Sequence, residues 1–379
     1  MSSAPWPLWW SLGVLAAMAV VIVVAGVRLT RIADALAERT GLGDAIGGAL
    51  LLGAVTSLPG NVTVLTGALE GDAGFALANP IGGIALQTVW LAIADLLYRR
   101  VNLEHAAASL QNVLQAVLLI AMLAIPVVAY ATPDLRLGWI HPLTLLIPAL
   151  YGYGLVMLRR MQKEPMWLPT RTDQTADDDE GAGDADGDAN GDANGDANGN
   201  GDGNANGNGD GDGERDGDGD GEPGDQRSTA RLWTLLAVLG LLTGAAGWLV
   251  GRAGLSVTAQ VGLDSGVVGF TLTTAISSLP ELVVLLTAVR MGQLTLGVGN
   301  IVGGNVYDIL MIALADVAYS DGPIYRDAGP TSLVLLGGTL VMTAVLAAGL
   351  IMRDRKWIGF EGVAIPLIYV GTVVLAVAG

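Results

Sequence analysis

Two acidic side chains stand inside long apolar segments of this chain, where a negative charge is costly. Glu281 directly follows Pro280 in the middle of one apolar run, and Asp308 ends the sequence GNIVGGNVYD in the middle of the next. Carboxylates at such positions are rare and usually serve a function. Together they provide two negative charges, which could balance one divalent cation.

Prolines interrupt two of the apolar segments near their midpoints, Pro59 in TSLPG and Pro280 in SSLPE. A proline removes an intrahelical hydrogen bond and frees a carbonyl about four residues earlier. The hydroxyl side chains beside the two breaks are those of Thr56, Ser57, Ser277 and Ser278. Carbonyl and hydroxyl oxygens suit a hard cation, whereas the structural alternative is a kink whose hydroxyls bond back to the helix.

The segments that carry these residues are long enough to cross a membrane. The 379 residues are 52% hydrophobic, with a mean hydropathy of +0.53. The lack of cysteine excludes disulfides, thiolate metal sites and a cysteine nucleophile. Apolar runs of about 20 residues predict ten membrane-spanning helices and an all-α polytopic membrane protein. The predicted spans are 7–27, 45–69, 73–95, 106–130, 137–158, 231–250, 265–289, 294–316, 331–352 and 358–378.

An acidic insert separates the spans into two groups of five. Residues 171–227 contain 19 of the 36 acidic residues but only three basic ones, which gives −16 of the formal net charge of −17. The segment is rich in Gly, Asp and Asn and has almost no apolar side chains, a composition typical of disorder. We therefore predict a first five-span repeat at 1–170, a disordered acidic linker at 171–228 and a second five-span repeat at 229–379.

The two groups of spans are related by an internal repeat. With an offset of 221 residues and no gaps, residues 54–98 match 275–319 at 15 of 45 positions. We call two residues that are separated by this offset counterparts. Because each half has an odd number of spans, the halves must lie in opposite orientations in the membrane. Inverted repeats with helices broken near mid-membrane are the architecture of secondary transporters.

Basic residues indicate how the spans are oriented. If the spans alternate, most of the arginines and lysines that flank them fall on one side of the membrane. The positive-inside rule makes this the cytoplasmic side. We therefore predict a multi-pass protein of the cell membrane, with the N-terminus and the C-terminus outside and the acidic linker in the cytoplasm.

The motifs around the two prolines resemble those of a known family. SSLPE followed by GNIVGGNVYD is similar to the second alpha-repeat of sodium/calcium exchangers, which belong to the cation/calcium exchanger superfamily. TSLPG followed by NPIGGIALQ resembles a degenerate first alpha-repeat. The resemblance covers all ten predicted spans but not the linker. It implies ten helices in two inverted halves, ions bound between the broken helices, and transport by alternating access.

The resemblance also implies roles for individual residues. Glu281 matches the ion-binding glutamate of the second repeat, while Asp308 and Gln87 fall where the family places further polar ligands. Glu281 and Asp308 are thus the expected acidic ligands of a transported Ca²⁺. The hydroxyl pairs of the two repeats match Thr56, Ser57, Ser277 and Ser278. Helix breaks and close packing are expected at Pro59, Pro280, Asn300, Gly303 and Gly304.

The first repeat departs from the family pattern at the position that matters most for charge. Gly60 stands where the family has a glutamate. The adjoining Asn61 offers an amide oxygen, although one residue turns the side chain by about 100° around the helix. Gly83 and Gly304 replace the serines of the family motif. The expected site is therefore lopsided, with acids only from the second half, and its ion stoichiometry and selectivity stay open.

The main functional hypothesis is a secondary active antiporter that exchanges Ca²⁺ for Na⁺ across the cell membrane. Because the first-half carboxylate is missing, a monovalent-cation or proton-coupled exchanger is the alternative, and a non-transporting ion sensor is another. The expected partners are the lipid bilayer and inorganic cations, with no resident cofactor and no nucleic acid. The oligomeric state is left open.

An enzyme is not expected. Tyr307-Asp308 has the form of the first aspartate motif of intramembrane aspartyl proteases. Such a protease would need a second aspartate in a GxGD motif within a span. In this chain GDGD occurs only in the acidic linker, so the second catalytic acid is missing.

Overall fold

The computed structural model describes residues 4–40, 54–97, 110–163, 228–290, 294–352 and 359–379. Within these ranges the chain is helical, apart from connecting turns and one isolated backbone bridge between Leu137 and Ile140. The acidic segment 171–227 lies outside the described residues, so its disorder stays a prediction.

Both halves are built from helices separated by short connections. In the described part of the first half the helices are α1 (Leu8–Thr40), α2 (Leu58–Leu69), α3 (Ala73–Leu97), α4 (Leu110–Ala131) and α5 (Leu146–Lys163). In the second half they are α6 (Thr229–Val261), α7 (Ser265–Ser277), α8 (Leu279–Arg290), α9 (Leu294–Asp308), α10 (Leu310–Ala318), α11 (Gly329–Ile351) and α12 (Phe360–Ala378). A 3₁₀ turn at Pro142–Leu145 precedes α5, and a single helical turn at Ile324–Asp327 precedes α11.

Most of these helices are long and apolar enough to cross a membrane. Within the described ranges eight spans pass this test, with α9 and α10 counted as one, and the bent pair α7–α8 adds a ninth. The predicted helical, polytopic membrane fold is therefore confirmed. The count of ten stays a prediction, because the predicted span 45–69 is described only from residue 54 onward.

Two helices extend well beyond the predicted spans. Helix α1 continues to Thr40 and α6 continues to Val261, whereas the apolar runs predicted ends at 27 and 250. The extensions contain residues buried in the bundle, such as Leu36 of α1 and Arg252 and Ser256 of α6, so packing against other helices and not hydropathy alone decides where these helices end. The predictions thus located the spans but not the helix ends.

The internal repeat is visible in the helix boundaries. Adding 221 to both ends of α1 gives both ends of α6, and the same shift carries α2 onto α8. The start of α3 shifts onto the start of α9, and its end onto the end of α10. The two halves therefore fold in the same way, as the sequence repeat predicts.

The packing of α1 against α6 shows that the halves are inverted. Leu15, near the start of α1, belongs to the same buried cluster as Val257, near the end of α6. Leu36, near the end of α1, clusters instead with Leu232, near the start of α6. The two helices are counterparts and run antiparallel, so the halves that contain them have opposite orientations. The predicted inversion is confirmed.

The break between α7 and α8 is a bend of 51° at Ser278, two residues before the proline of the second half. Pro280 has no amide hydrogen, which interrupts the helical ladder at this point. Ser57 occupies the equivalent position before α2, and its backbone conformation is close to that of its counterpart, with ψ of 0° against 12°. The same local chemistry therefore breaks the chain at equivalent places in both halves.

Each long helix passes the break of the opposite half through a glycine. A Cβ atom on Gly26 of α1 would lie 2.7 Å from Cγ of Pro280, and one on Gly247 of α6 would lie 2.2 Å from the carbonyl oxygen of Pro59. These four residues form two pairs of counterparts. The glycines let the long helices approach the broken helices closely, which brings both breaks to the centre of the bundle.

Candidate ion-binding site

A cavity lies where the two helix breaks meet α3, α9 and α10. Its volume is about 20 Å³. One water molecule needs roughly 10–15 Å³ on the same scale, so the cavity suits a small ion rather than an organic substrate. Seven of the eight predicted ion-binding residues line it, namely Ser57, Asn61, Gln87, Ser277, Ser278, Glu281 and Asp308.

Asp308 is held by side chains of the first half. Its Oδ1 accepts a hydrogen bond of 2.7 Å from Oγ of Ser57, and its Oδ2 accepts one of 2.9 Å from Nε2 of Gln87. Asp308 and Gln87 are counterparts, so the repeat places an acid and an amide at equivalent positions and joins them directly. Two donors fix the carboxylate in one orientation toward the cavity.

Glu281 has an oxygen atom without a partner. The residue is 5% exposed, and its Oε2 makes no hydrogen bond within the described part of the chain. It lies in the first turn of α8, where the helix dipole favours a negative charge, and it is close enough to Asp308 for the two carboxyl groups to repel each other. Two buried acids with one free oxygen form an arrangement that a cation would stabilise.

The other predicted ligands in the cavity wall offer neutral oxygen atoms. The hydroxyl of Ser277 donates a hydrogen bond of 3.3 Å to the carbonyl of Thr274, as expected for a kink whose hydroxyls bond back to the helix. The hydroxyl oxygen keeps its lone pairs, which can accept a hydrogen bond or coordinate a cation. In the described residues no group of three or more His, Cys, Asp or Glu side chains could hold a metal. A cation in this cavity would therefore depend on the two acids together with hydroxyl, amide and carbonyl oxygens.

Some predicted residues lie beside the cavity rather than in its wall. Thr56 is buried but does not line it, and Pro59 and Pro280 lie in the first turns of α2 and α8, facing the long helices. Asn300 and Gly303 are outside the lining, although both lie on α9. These residues do not form the surface of the cavity.

The sequence analysis missed Asn79, a polar residue of the cavity wall. Asn79 donates from Nδ2 to Oγ1 of Thr273 over 2.9 Å, and its Oδ1 lies 4.0 Å from where a Cβ of Gly60 would stand. Gly83 also lines the cavity, and a Cβ on it would lie 3.5 Å from Oδ2 of Asp308. The repeat contained a signal for Asn79, because its counterpart is also an asparagine.

A further buried acid has a structural role. Asp316 is fully buried, and its Oδ2 accepts hydrogen bonds from the backbone amide of His141 at 2.8 Å and from Oγ1 of Thr144 at 2.6 Å. Its Oδ1 accepts from the amide of Ile324 at 2.9 Å. Both oxygens are satisfied by loops at one end of the bundle, so this acid ties the loops together and does not face the cavity.

The two halves of the chain match the model of a known protein family. The family model described as sodium/calcium exchanger protein matches residues 10–158 and 231–378, well over half of the chain. The chain belongs to the sodium/calcium exchanger family. The two matched segments are the two halves of the repeat, and the gap between them contains the acidic linker. The resemblance based on SSLPE and GNIVGGNVYD is thereby confirmed.

Two known proteins match part of this chain in sequence. The chain is 29% identical to the sodium/calcium exchanger MaX1 of Methanosarcina acetivorans over 116 residues. This stretch covers 30% of this chain and 32% of that protein. The chain is 27% identical to the putative antiporter CaxA of Alkalimonas amylolytica over 144 residues. This stretch covers 38% of this chain and 44% of that protein. The matched stretches thus span less than half of either relative.

Solved structures share the fold across almost the whole chain. The H⁺/Ca²⁺ exchanger CAX matches with a TM-score of 0.63 and 13% identity, covering 97% of this chain and 85% of that chain. The sodium-calcium exchanger NCX_Mj matches with a TM-score of 0.52 and 15% identity, covering 97% of this chain and 99% of that chain. Identities this low show a common fold and nothing more specific.

Proposed function

We propose that this family member is a secondary active antiporter that exchanges Ca²⁺ for a monovalent cation by alternating access. The observation that carries the proposal is the free Oε2 of Glu281 beside Asp308, both buried at the crossing of the two helix breaks. A divalent cation between them would neutralise both carboxylates. Hydroxyl and amide oxygens in the cavity wall would complete the six to eight oxygen ligands that Ca²⁺ prefers.

Sodium is the proposed driving ion. Na⁺ is a hard cation that takes the same oxygen ligands as Ca²⁺, and the cavity offers neutral oxygens from Ser57, Ser277 and Ser278 as well as the two acids. One observation favours the proton-coupled alternative. Gly60 removes the third carboxylate expected for this family, so the remaining two acids could exchange one Ca²⁺ for two protons.

Flux measurements in proteoliposomes test the proposal. Purified protein is reconstituted, and Ca²⁺ uptake is measured with an outward Na⁺ gradient, with a pH gradient, and with neither. We expect uptake with the Na⁺ gradient and none without a gradient. Uptake driven only by the pH gradient would favour the proton-coupled exchanger, and Ca²⁺ binding without flux under any gradient would favour the sensor.

The orientation in the membrane is part of the same proposal. We place both termini outside and the acidic linker in the cytoplasm, on the distribution of basic residues. Protease added to sealed right-side-out vesicles should leave 171–227 uncut, whereas inverted vesicles should be cleaved there. Cleavage from the outside would contradict the orientation.

A further inference from the structure

Helix α9 presents glycines to amide side chains of α4 that the proposed ion site does not use. A Cβ atom on Gly303 would lie 3.6 Å from Nε2 and 4.0 Å from Oε1 of Gln115. A Cβ atom on Gly299, one turn earlier, would lie 3.4 Å from Oδ1 of Asn112. Polar groups of α4 therefore follow the glycine face of α9 for two turns.

Two amide oxygens without partners border this face. Gln87 is 1% exposed, and its Nε2 must face Asp308 because a carboxylate can only accept. Its Oε1 then lies 3.7 Å from the Cβ position of Gly304 and has no hydrogen-bond partner in the described residues. The Oε1 of Gln115, beside Gly303, likewise has none among them. A buried acceptor without a partner is costly, which suggests that another group satisfies both oxygens.

The polar groups lead from the ion site to one face of the membrane. Asp308 and Gly299 are nine positions apart on α9, which corresponds to roughly 14 Å along the helix. Gly299 is only five residues from the start of α9 at Leu294, and Asn112 is two residues from the start of α4 at Leu110. Because these two ends are in contact, α4 and α9 begin at the same face of the membrane.

The equivalent surface of the other half is apolar, and the space beside its glycine is filled. The counterparts of Asn112 and Gln115 are Leu333 and Leu336; Leu336 is fully buried, whereas Leu333 is 37% exposed. The counterpart of Gly303 is Gly82, where a Cβ would lie 2.4 Å from the carbonyl oxygen of Phe270. The space beside the glycine in that half is thus filled by a neighbouring helix. A polar seam exists on one side of the repeat and not on the other.

We propose that the seam between α4 and α9 is an ion pathway, a polar groove along which a partly hydrated cation passes between Asp308 and the membrane face where the two helices begin. Neutral amide oxygens replace some of the hydration water of the ion without holding it as firmly as a carboxylate, which suits passage. The pathway deepens the proposed function and rests on it for the identity of its cargo. Its accessibility can be measured without any transport.

Cysteine labelling tests the pathway directly, since the natural chain contains no cysteine. Single variants Gln115→Cys and Asn112→Cys are compared with the counterparts Leu336→Cys and Leu333→Cys in sealed vesicles. A small cationic methanethiosulfonate reagent is added from each side. We expect labelling at 112 and 115, from the face where α4 begins, to be roughly tenfold faster or more, because an apolar seam excludes a charged reagent.

Equal rates at the two pairs of positions, or faster labelling at 333 and 336, would overturn the pathway. Each variant is first checked for a single folded species by size-exclusion chromatography. Labelling in this pattern by a protein that moves no Ca²⁺ would retain the pathway and refute the proposed cargo. The two proposals can therefore fail separately.

A flux measurement provides a second test. Gln115→Leu gives the first half the residue that the second half has at the equivalent position, and Gln111→Leu makes the same change elsewhere on α4 as a control. We expect roughly tenfold slower Ca²⁺ exchange in Gln115→Leu with unchanged Ca²⁺ affinity, because a transit group affects the rate and not the bound state. Unchanged exchange, or a loss of affinity, would contradict a role in passage.

Discussion

The two halves of the chain have matching helix boundaries, yet they bring different chemistry to the cavity. The second half supplies both acids, Glu281 and Asp308, whereas their counterparts in the first half are Gly60 and Gln87. The first half supplies donors instead, since Ser57 and Gln87 hold Asp308 from both sides. One half carries the charge and the other orients it.

This difference shows which parts of a repeat must stay symmetric. A helix break needs a proline, and close packing needs a glycine, so Pro59 and Pro280 persist together with Gly247 and Gly26. A bound cation requires only a certain total negative charge and a certain number of coordinating oxygen atoms. Those can come from either half, because both breaks face the same cavity.

Removing either charge of the second half should have the largest effect. We expect Glu281→Gln and Asp308→Asn each to reduce Ca²⁺ flux by roughly 100-fold or more, since leaving a buried charge without its partner costs about 3–5 kcal/mol and each 1.4 kcal/mol is a factor of ten. Flux of monovalent cations should fall less, because these ions need less negative charge. The measurement is Ca²⁺ and Na⁺ flux in proteoliposomes.

Glu361→Gln is the matched control for this loss of charge. Glu361 is 2% exposed near the start of α12 and does not line the cavity. We expect Ca²⁺ flux close to that of the natural protein in this variant. Normal Ca²⁺ exchange in Glu281→Gln would refute the assignment of the site.

Restoring the missing acid of the first half should have a smaller effect, and it should strengthen Ca²⁺ binding where removal of Glu281 or Asp308 weakens it. A Cβ at position 60 would lie 3.7 Å from Oγ of Ser277, which is ordinary contact, so a side chain there faces the cavity without a clash. We expect Gly60→Glu to tighten Ca²⁺ binding by roughly tenfold, the factor for about 1.4 kcal/mol, and to slow turnover because release becomes harder. Binding is measured by calorimetry and turnover by flux.

Gly60→Gln separates charge from size in that experiment. It adds a side chain of the same length without the negative charge, and we expect no gain in Ca²⁺ affinity. Equal effects of the two variants would show that the first half acts on the site through packing and not through charge.

The smallest expected effect concerns the two glycines that contact the break prolines. In Gly247→Ala the new methyl group would meet the backbone of Pro59, whereas in Gly26→Ala it would meet the ring of Pro280. Backbone yields less than a side chain, so we expect Gly247→Ala to lower the melting temperature more than Gly26→Ala does. Overpacking of this kind costs about 1–3 kcal/mol. Thermal unfolding in detergent measures the difference, and equal shifts would contradict it.

Much of the fold could be predicted from the sequence, because the relevant signals are local. Apolar runs located the spans, the offset of 221 residues gave the repeat, and an odd number of spans per half gave the inversion. Seven predicted ligands also lie at the cavity: five of them stand beside the two break prolines, and the other two are the counterparts Gln87 and Asp308. These predictions needed only composition, period and motif.

The remaining features depend on contacts between distant segments. No local pattern reveals that Gln87 donates to Asp308, or that Asn79 reaches the cavity while Thr56 does not. The structural role of Asp316 likewise follows from loops of both halves. Such facts depend on how side chains pack across the two halves, which a single sequence does not specify.

The number of buried acids in the cavity has a consequence for energetics. Two carboxylates are neutralised by one Ca²⁺ or by two monovalent cations, and a third monovalent cation would leave an excess positive charge. A cycle that alternates between the two neutral loads is electroneutral, so the membrane voltage, worth about 2.3 kcal/mol per charge per 100 mV, neither drives nor opposes it. At equilibrium the Ca²⁺ gradient would then equal the square of the monovalent-cation gradient, whatever the electrical state of the cell.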